Sequence, residues 1–284
     1  MKMGFLTNSL VWAGIKDLRA IAAWAIANGF ADLEVGPATP LDEAVFGRIL
    51  DEGKIAISAL IYCRNFLCES EQEAAEHQGQ LRRRIQFAAR MGIEKIVCST
   101  GVLPASCKGM SFDPEASLDR VIEFLKRMVD LAERHGVKLA VENCPMMGNI
   151  AVSPFIWDKM FAAIGSKSLG LTYDPSHLVW QFIDPYENIL RFRERIFHVH
   201  GKDTEILAPK LRELGVLHNN KWWRHRLPGL GDLDWNRIVA NLYEIGYDGT
   251  ISIEHEDPVW EGTEAKVKAG LLRSRDHIQQ FLMP

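Results

Sequence analysis

The sequence predicts a single α/β domain of the (β/α)8, TIM-barrel type spanning residues 1–284. Three observations carry the prediction. Short β-branched runs alternate with longer helical patterns from one end of the chain to the other, which is what a parallel sheet with crossover helices requires. There are eight such pairs in 284 residues, matching a barrel of typically ~250 residues. An open doubly wound sheet is the competing architecture, but no GxGxxG follows the first strand to support a dinucleotide-binding sheet.

In chain order the predicted strands are Met3 to Leu6, Asp32 to Val35, Ile55 to Ile61, Lys95 to Cys98, Lys138 to Glu142, Gly170 to Tyr173, Ile196 to His200 and Thr250 to Glu254. Between them lie helical patterns. Ile15 to Asn28 carries Leu18, Ile21, Ala22 and Ala25 near a 3.6 spacing, and Gly29 suits the C-terminal cap. Pro114 to His135 places Val121, Phe124, Leu125, Met128 and Leu131 on one face before Gly136. Asp234 to Ile245 repeats the design with Trp235, Ile238, Leu242 and Ile245. The rhythm breaks once, at a long irregular stretch from about 201 to 232. That stretch is read as an active-site loop, because loops of such length in compact domains are usually functional or disordered.

Composition narrows the function classes. With 37 acidic against 33 basic residues and a net charge of −4, the chain has no excess of positive charge for a nucleic acid or an anionic membrane. Five cysteines without a CxxC pair argue against a disulfide framework and a zinc knuckle. No apolar run reaches the ~18 residues of a membrane span, and the N-terminus has no signal pattern, so a cytoplasmic protein is expected.

In a barrel of this class the carboxyl ends of the strands build the active site. Strand five ends at Glu142, strand six runs into Asp174-Pro-Ser-His177, strand seven ends His198-Val-His200-Gly-Lys202-Asp203, and strand eight runs into Glu254-His-Glu-Asp257. A single carboxylate at a strand end is commonly a helix cap. Four metal-competent side chains on four consecutive strands argue for a shared ion, since bare like charges that close would repel one another. Glu142, Asp174, His200 and Glu254 are therefore the expected ligands of one divalent metal. Their oxygen-rich set points to Mn²⁺ first, with Mg²⁺ or Co²⁺ as alternatives. His198 is expected to point away from His200, packed between barrel and helices, and is not counted as a ligand.

His177, on the loop leaving strand six, is expected to touch a substrate oxygen; capping the next helix is the alternative. Lys202 and Asp203 are candidates for binding a hydroxyl or carbonyl oxygen, with a surface salt bridge as the plain reading. His225 and Arg226 precede the turn-rich Pro228-Gly229-Leu230-Gly231, which could fold them over the mouth. Trp222 and Trp223 are read as an apolar wall for a sugar ring or as exposed contacts of a homodimer or homotetramer.

These strand ends resemble the xylose isomerase-like barrels, especially the sugar epimerases and isomerases close to D-tagatose 3-epimerase and the inosose isomerases. The resemblance spans nearly the whole chain and is carried by Val-Glu142-Asn, Tyr-Asp174-Pro-Ser-His177, His-Val-His200-Gly-Lys-Asp203, Leu-Pro-Gly-Leu-Gly231-Asp-Leu-Asp-Trp235 and Ile-Glu254-His-Glu. It implies that Glu142, Asp174, His200 and Glu254 bind the metal and that Glu142 and Glu254 are the catalytic proton carriers. One would remove a proton beside a carbonyl, the metal would stabilise the ene-diolate oxygens, and the other would return the proton. The implied function is a metal-dependent epimerase or isomerase of a ketose or keto-inositol. A lyase or dehydratase of a 3-keto sugar or keto-inositol is the alternative from the same site. One departure stands out: the ketose epimerases carry an arginine a few residues beyond the strand-seven histidine, where this chain has Ile206 and its neighbours. An apurinic-site endonuclease of the same superfamily is disfavoured, because the ends of strands three and four lack the histidines its three-metal cluster needs. A non-catalytic subunit is the remaining possibility.

Overall fold

Strands form where the β-branched runs lie. In the computed structural model, which describes residues 1–108, 111–218 and 221–283, they are Lys2–Leu6 (β1), Asp32–Val35 (β2), Ala56–Tyr62 (β3), Lys95–Cys98 (β4), Lys138–Glu142 (β5), Leu169–Tyr173 (β6), Ile196–Gly201 (β7) and Thr250–Ile253 (β8). These close into one barrel in the order β1-β8-β7-β6-β5-β4-β3-β2. No helix among the described residues is long and apolar enough to cross a membrane. The chain divides into two compact units: Met1–Ser58 with Asp174–Arg193 and His198–Pro284, and Ala59–Tyr173 with Glu194–Phe197.

The first unit contains β1, β2, β8 and most of β7. Its parallel registers pair Leu6 with Glu34, Gly4 with Ser252, and Ser252 with His200. Alternation then sorts each strand into two faces. Phe5 belongs to the apolar face and meets Trp24 and Phe30 edge-on, with ring centroids 5.7 and 4.9 Å away. Trp24 lies on the helix Leu18–Ala27, which buries the predicted Leu18, Ile21, Ala22 and Ala25. With the apolar face against a helix, the opposite face turns into the barrel. That face is polar: Asp32, Glu34, His198, His200, Thr250 and Ser252 are all buried. Thr250 Oγ1 donates to Asp32 Oδ2 at 2.8 Å. Gly4 leaves room for this pair, since a Cβ there would stand 2.8 Å from the Asp32 carbonyl oxygen and 2.9 Å from Thr250 Cγ2.

In the second unit, β4 pairs with β3 and β5, and β5 with β6, in a register that sets Glu142 opposite Thr172. Helix Glu71–Arg90 starts where Ser70 Oγ accepts the Glu73 N–H at 3.2 Å, a side-chain cap of the kind that serine favours. Helix Leu118–Arg134 buries Val121, Phe124, Leu125 and Met128, following the predicted stripe. Helix Pro154–Ile164 has proline in its first turn and ends on Gly165 at φ 70°.

The stretch after β7 differs from the irregular loop expected. Asp203–Ile206 and Trp223–Arg226 form an antiparallel hairpin, with Thr204 opposite His225, and helix Ala208–Leu214 lies between the two strands. Trp222 and Trp223 are buried rather than exposed, at 4% and 6%. Trp222 stacks on Phe182 and Trp223 on Trp180, at ring-centroid distances of 5.9 and 4.6 Å. Neither offers a face for pairing with a second subunit.

One carboxylate organises this region. Asp203 Oδ1 accepts the N–H groups of Thr204 at 2.8 Å and Leu233 at 3.1 Å, and Oδ2 accepts Gly229 N–H at 3.1 Å and Trp235 Nε1–H at 3.0 Å. The Leu-Pro-Gly-Leu-Gly-Asp-Leu-Asp-Trp motif is thus wrapped around Asp203. A Cβ on Gly231 would stand 2.3 Å from Asp203 Oδ1, which is why glycine is needed there. Removing this carboxylate strands several buried donors, each costing about 1–3 kcal/mol. Asp203→Ala is therefore expected to lower the free energy of unfolding by about 3 kcal/mol or more. Urea denaturation checks this, and a loss under about 1 kcal/mol would show that water replaces the bonds.

Candidate active site

The carboxyl ends of β6, β7 and β8 bring one group of charged side chains together in the first unit. Asp174 follows β6 directly. Its Oδ1 is fixed by Ser176, whose N–H and hydroxyl donate at 2.8 and 2.6 Å. Oδ2 is thereby aimed at the Lys202 ammonium, 3.1 Å away, with His177 Nε2 at 3.4 Å and His200 Nδ1 at 4.0 Å. Burial works to raise the Asp174 carboxyl, but the Lys202 ammonium, helped by the Ser176 hydroxyl, holds it well below the usual carboxylate range.

Lys202 is the hub. Its side chain is 1% exposed, and Nζ contacts Glu254 Oε2 at 2.5 Å and Glu256 Oε2 at 3.1 Å as well as Asp174. Glu254 Oε2 also lies 3.3 Å from His200 Nδ1. Three carboxylates around one ammonium leave a formal charge of −3 + 1 = −2. Beside them stands His177, fully buried, with neither ring nitrogen hydrogen-bonded among the described residues. Burial and the nearby ammonium push its pKa well down, so the imidazole is neutral and keeps a lone pair. His225 meets the His177 ring edge-on at 5.6 Å and lies 3.6 Å from Glu256, and burial brings its pKa down to about 4.

This donor set fits a divalent cation. Asp174 and Glu254 already clasp a positive group, the charge left over is that of one such ion, and the imidazoles present uncharged nitrogens.

A residue that the strand-end rule overlooks lies beneath this group. Glu34, in the middle of β2, is fully buried. Its Oε2 lies 3.1 Å from both His198 Nε2 and His200 Nε2. The two imidazoles hold its carboxyl below the usual range against the effect of burial. His198 therefore shares a face with His200, contrary to the expectation, because residues i and i+2 of a strand point the same way. The sequence signal was the alternation Asp32-Leu33-Glu34-Val35, which puts two acids on the same strand face.

Glu142 occupies the last position of β5 in the second unit and is 4% exposed. Its Oε2 accepts the Cys63 thiol at 3.4 Å, and its carbonyl oxygen accepts from Asn149 Nδ2 at 2.8 Å. Burial and the neighbouring carboxylate push the Cys63 thiol well up.

The remaining candidates separate. His177, Lys202 and His225 stand in the charged group. Asp203 does not, since both of its oxygens are occupied inside the loop. Arg226 is turned to the loop as well: Nη1 donates to Asp257 Oδ1 at 3.1 Å and Nε to the Leu230 carbonyl at 3.2 Å.

A closed barrel of eight parallel strands is the TIM-barrel architecture, and one family of such barrels is that of the xylose isomerase-like proteins. The chain belongs to that family: the model described as xylose isomerase-like TIM barrel matches residues 22–277. Among curated proteins it is similar to the inosose dehydratase of Geobacillus thermodenitrificans, at 28% identity over 84% of this chain and 82% of that one. Among solved structures it is similar to the IOLI protein with a bound zinc atom, with a TM-score of 0.79, 17% identity and full coverage of both chains. It is also similar to D-psicose 3-epimerase from Clostridium cellulolyticum with D-tagatose, with a TM-score of 0.74, 15% identity and full coverage of both. At those identities the structural likenesses speak for the fold.

Taking away the central ammonium tests the charge balance. Lys202→Met leaves buried acids uncompensated, and breaking a buried pair in this way costs about 3–5 kcal/mol. The metal-free variant is expected to be destabilised by that order, with saturating Mn²⁺ restoring most of the loss. Chemical denaturation with and without Mn²⁺ reads both effects; a metal-free variant as stable as the parent protein would refute the account.

Proposed function

We propose that this protein is a metal-dependent enzyme that moves a proton at the carbon beside a carbonyl group of a sugar or cyclitol, as an epimerase or isomerase. The observation that carries the reading is the convergence of Asp174 and Glu254 on one point, held here by the Lys202 ammonium, with His200 Nδ1 beside it. Glu142, Asp174, His200 and Glu254 would hold the metal, Mn²⁺ first on their oxygen-rich chemistry. Support for including Glu142 comes from its register opposite Thr172, two residues before Asp174 in the chain, and from the family's strand-end motif. The bound ion would supply positive charge beside the substrate's carbonyl and hydroxyl oxygens.

The chain's own groups perform the proton work. One of Glu142 and Glu254 takes the proton from the carbon, and the electron pair of that C–H bond enters the enediol system. The other glutamate returns a proton. Delivery to the same carbon inverts it, and delivery to the former carbonyl carbon isomerises the substrate. His177 and His225, kept neutral by burial, can accept or donate hydrogen bonds to hydroxyl groups without adding charge. A metal held by Asp174 and Glu254 would compete with the Lys202 ammonium, whose third carboxylate contact is Glu256.

Dehydration is the second reading, favoured by the similarity to inosose dehydratases. The first step is the same. The hydroxyl on the next carbon would then depart as water, taking its proton from an acid, and the Lys202 ammonium is the candidate for that acid. Incubation of Mn²⁺-loaded protein with ketoses and keto-inositols in D₂O separates the readings. Epimerisation or isomerisation incorporates deuterium with no loss of water, dehydration consumes substrate with loss of water, and neither event with any of them would sink the proposal. Glu142→Gln and Glu254→Gln are each expected to lower kcat by about 10²–10⁴-fold while KM changes little. Steady-state kinetics checks this, and a Gln variant with normal kcat would remove that glutamate from proton transfer.

A further inference from the structure

We propose that Glu34 is a positioning residue that fixes which nitrogen His200 presents to the ion, and that His198 fixes Glu34 in turn. The inference rests on the reading of His200 as a metal ligand. His200 Nε2 stands 3.1 and 3.3 Å from the two carboxylate oxygens of Glu34. An ionised carboxylate only accepts, so Nε2 carries the proton and donates it. His198 Nε2 makes the same contact with Glu34 Oε2 at 3.1 Å. Glu34 is thus held by two N–H donors from one strand, and all three side chains are fully buried.

With Nε2 committed, Nδ1 is the nitrogen left to face the rim. It lies 3.3 Å from Glu254 Oε2 and 4.0 Å from Asp174 Oδ2. A cation shared among Nδ1 and these two carboxylate oxygens would be coordinated by all three. Metal-ligating histidines commonly donate their other ring N–H to a carboxylate, which fixes the tautomer and raises ligand basicity. Glu34 supplies that partner from beneath, on a strand that contributes none of the four proposed ligands.

The test needs no turnover. In ¹⁵N-histidine NMR of the metal-free wild-type protein, His198 and His200 are both expected to carry slowly exchanging Nε2 protons; a His200 bare at Nε2 overturns the proposal without reference to any metal. Calorimetric titration with Mn²⁺ then compares wild type with Glu34→Gln, which keeps the shape of the side chain but offers one acceptor oxygen instead of two. Affinity is expected to fall about 10- to 100-fold while circular dichroism stays unchanged. A folded Glu34→Gln protein with wild-type affinity also overturns it. Wild-type protein that binds no Mn²⁺ strikes instead at the metal reading itself and removes both claims.

Discussion

The buried excess of negative charge around Lys202 is the constraint on which the rim depends. Asp174 is fully buried and Lys202 nearly so, and Glu254 has a side chain only 12% exposed. Ionised groups so placed persist only when paired and hydrogen-bonded. Each pairing in turn requires a particular piece of backbone. Asp174 Oδ2 can face Lys202 because Ser176 occupies Oδ1 twice. Lys202 can reach three acids because it follows β7 by one residue and Glu254 follows β8 by one. The barrel's parallel register, Ser252 beside His200, brings those two strand ends level.

The same constraint explains why the interior beneath the rim is polar on this side. A barrel core filled with branched aliphatics would be the ordinary solution. Here β2, β7 and β8 instead turn Asp32, Glu34, His198, His200, Thr250 and Ser252 inward. Asp32 is satisfied by Thr250, and Glu34 by the two imidazoles. Satisfied members are what make a buried polar network stable, and on this face the Ser252 hydroxyl has no partner among the described residues. The apolar stabilisation comes from the outer face, where Phe5, Leu33, Val199, Ile251 and Ile253 are buried without measurable exposure.

Much of the fold was legible because strand formation here is local. Asp32–Val35, Lys95–Cys98 and Lys138–Glu142 have the bounds their residue runs predict, and the helix stripes follow the 3.6 period. The hairpin after β7 was illegible for the opposite reason. Its strands are joined across a helix, and the charges in Trp-Arg-His-Arg conceal a period of two. Trp222 and Trp223 read as exposed because their partners, Phe182 and Trp180, lie some forty residues earlier. Within the candidate site, the strand-end rule draws attention to the rim and away from mid-strand residues, so Glu34 escaped it. Asp203 follows Lys202 in sequence and looks like its neighbour in function. Its donors arrive from Gly229, Leu233 and Trp235, and no local pattern announces them.

Asp203 and Lys202 show how one dipeptide serves two ends. Successive residues at the end of a strand project to opposite sides. Lys202 enters the acid cluster, while Asp203 enters the loop and gathers its N–H groups. The two share a backbone, so the strand end that sets the ammonium also sets the anchor of the loop. The hairpin carries His225 and is anchored at Arg226 to Asp257, three residues beyond Glu254. The hairpin is therefore joined to the rim at both the β7 and β8 ends, through Asp203 and through Arg226 with Asp257.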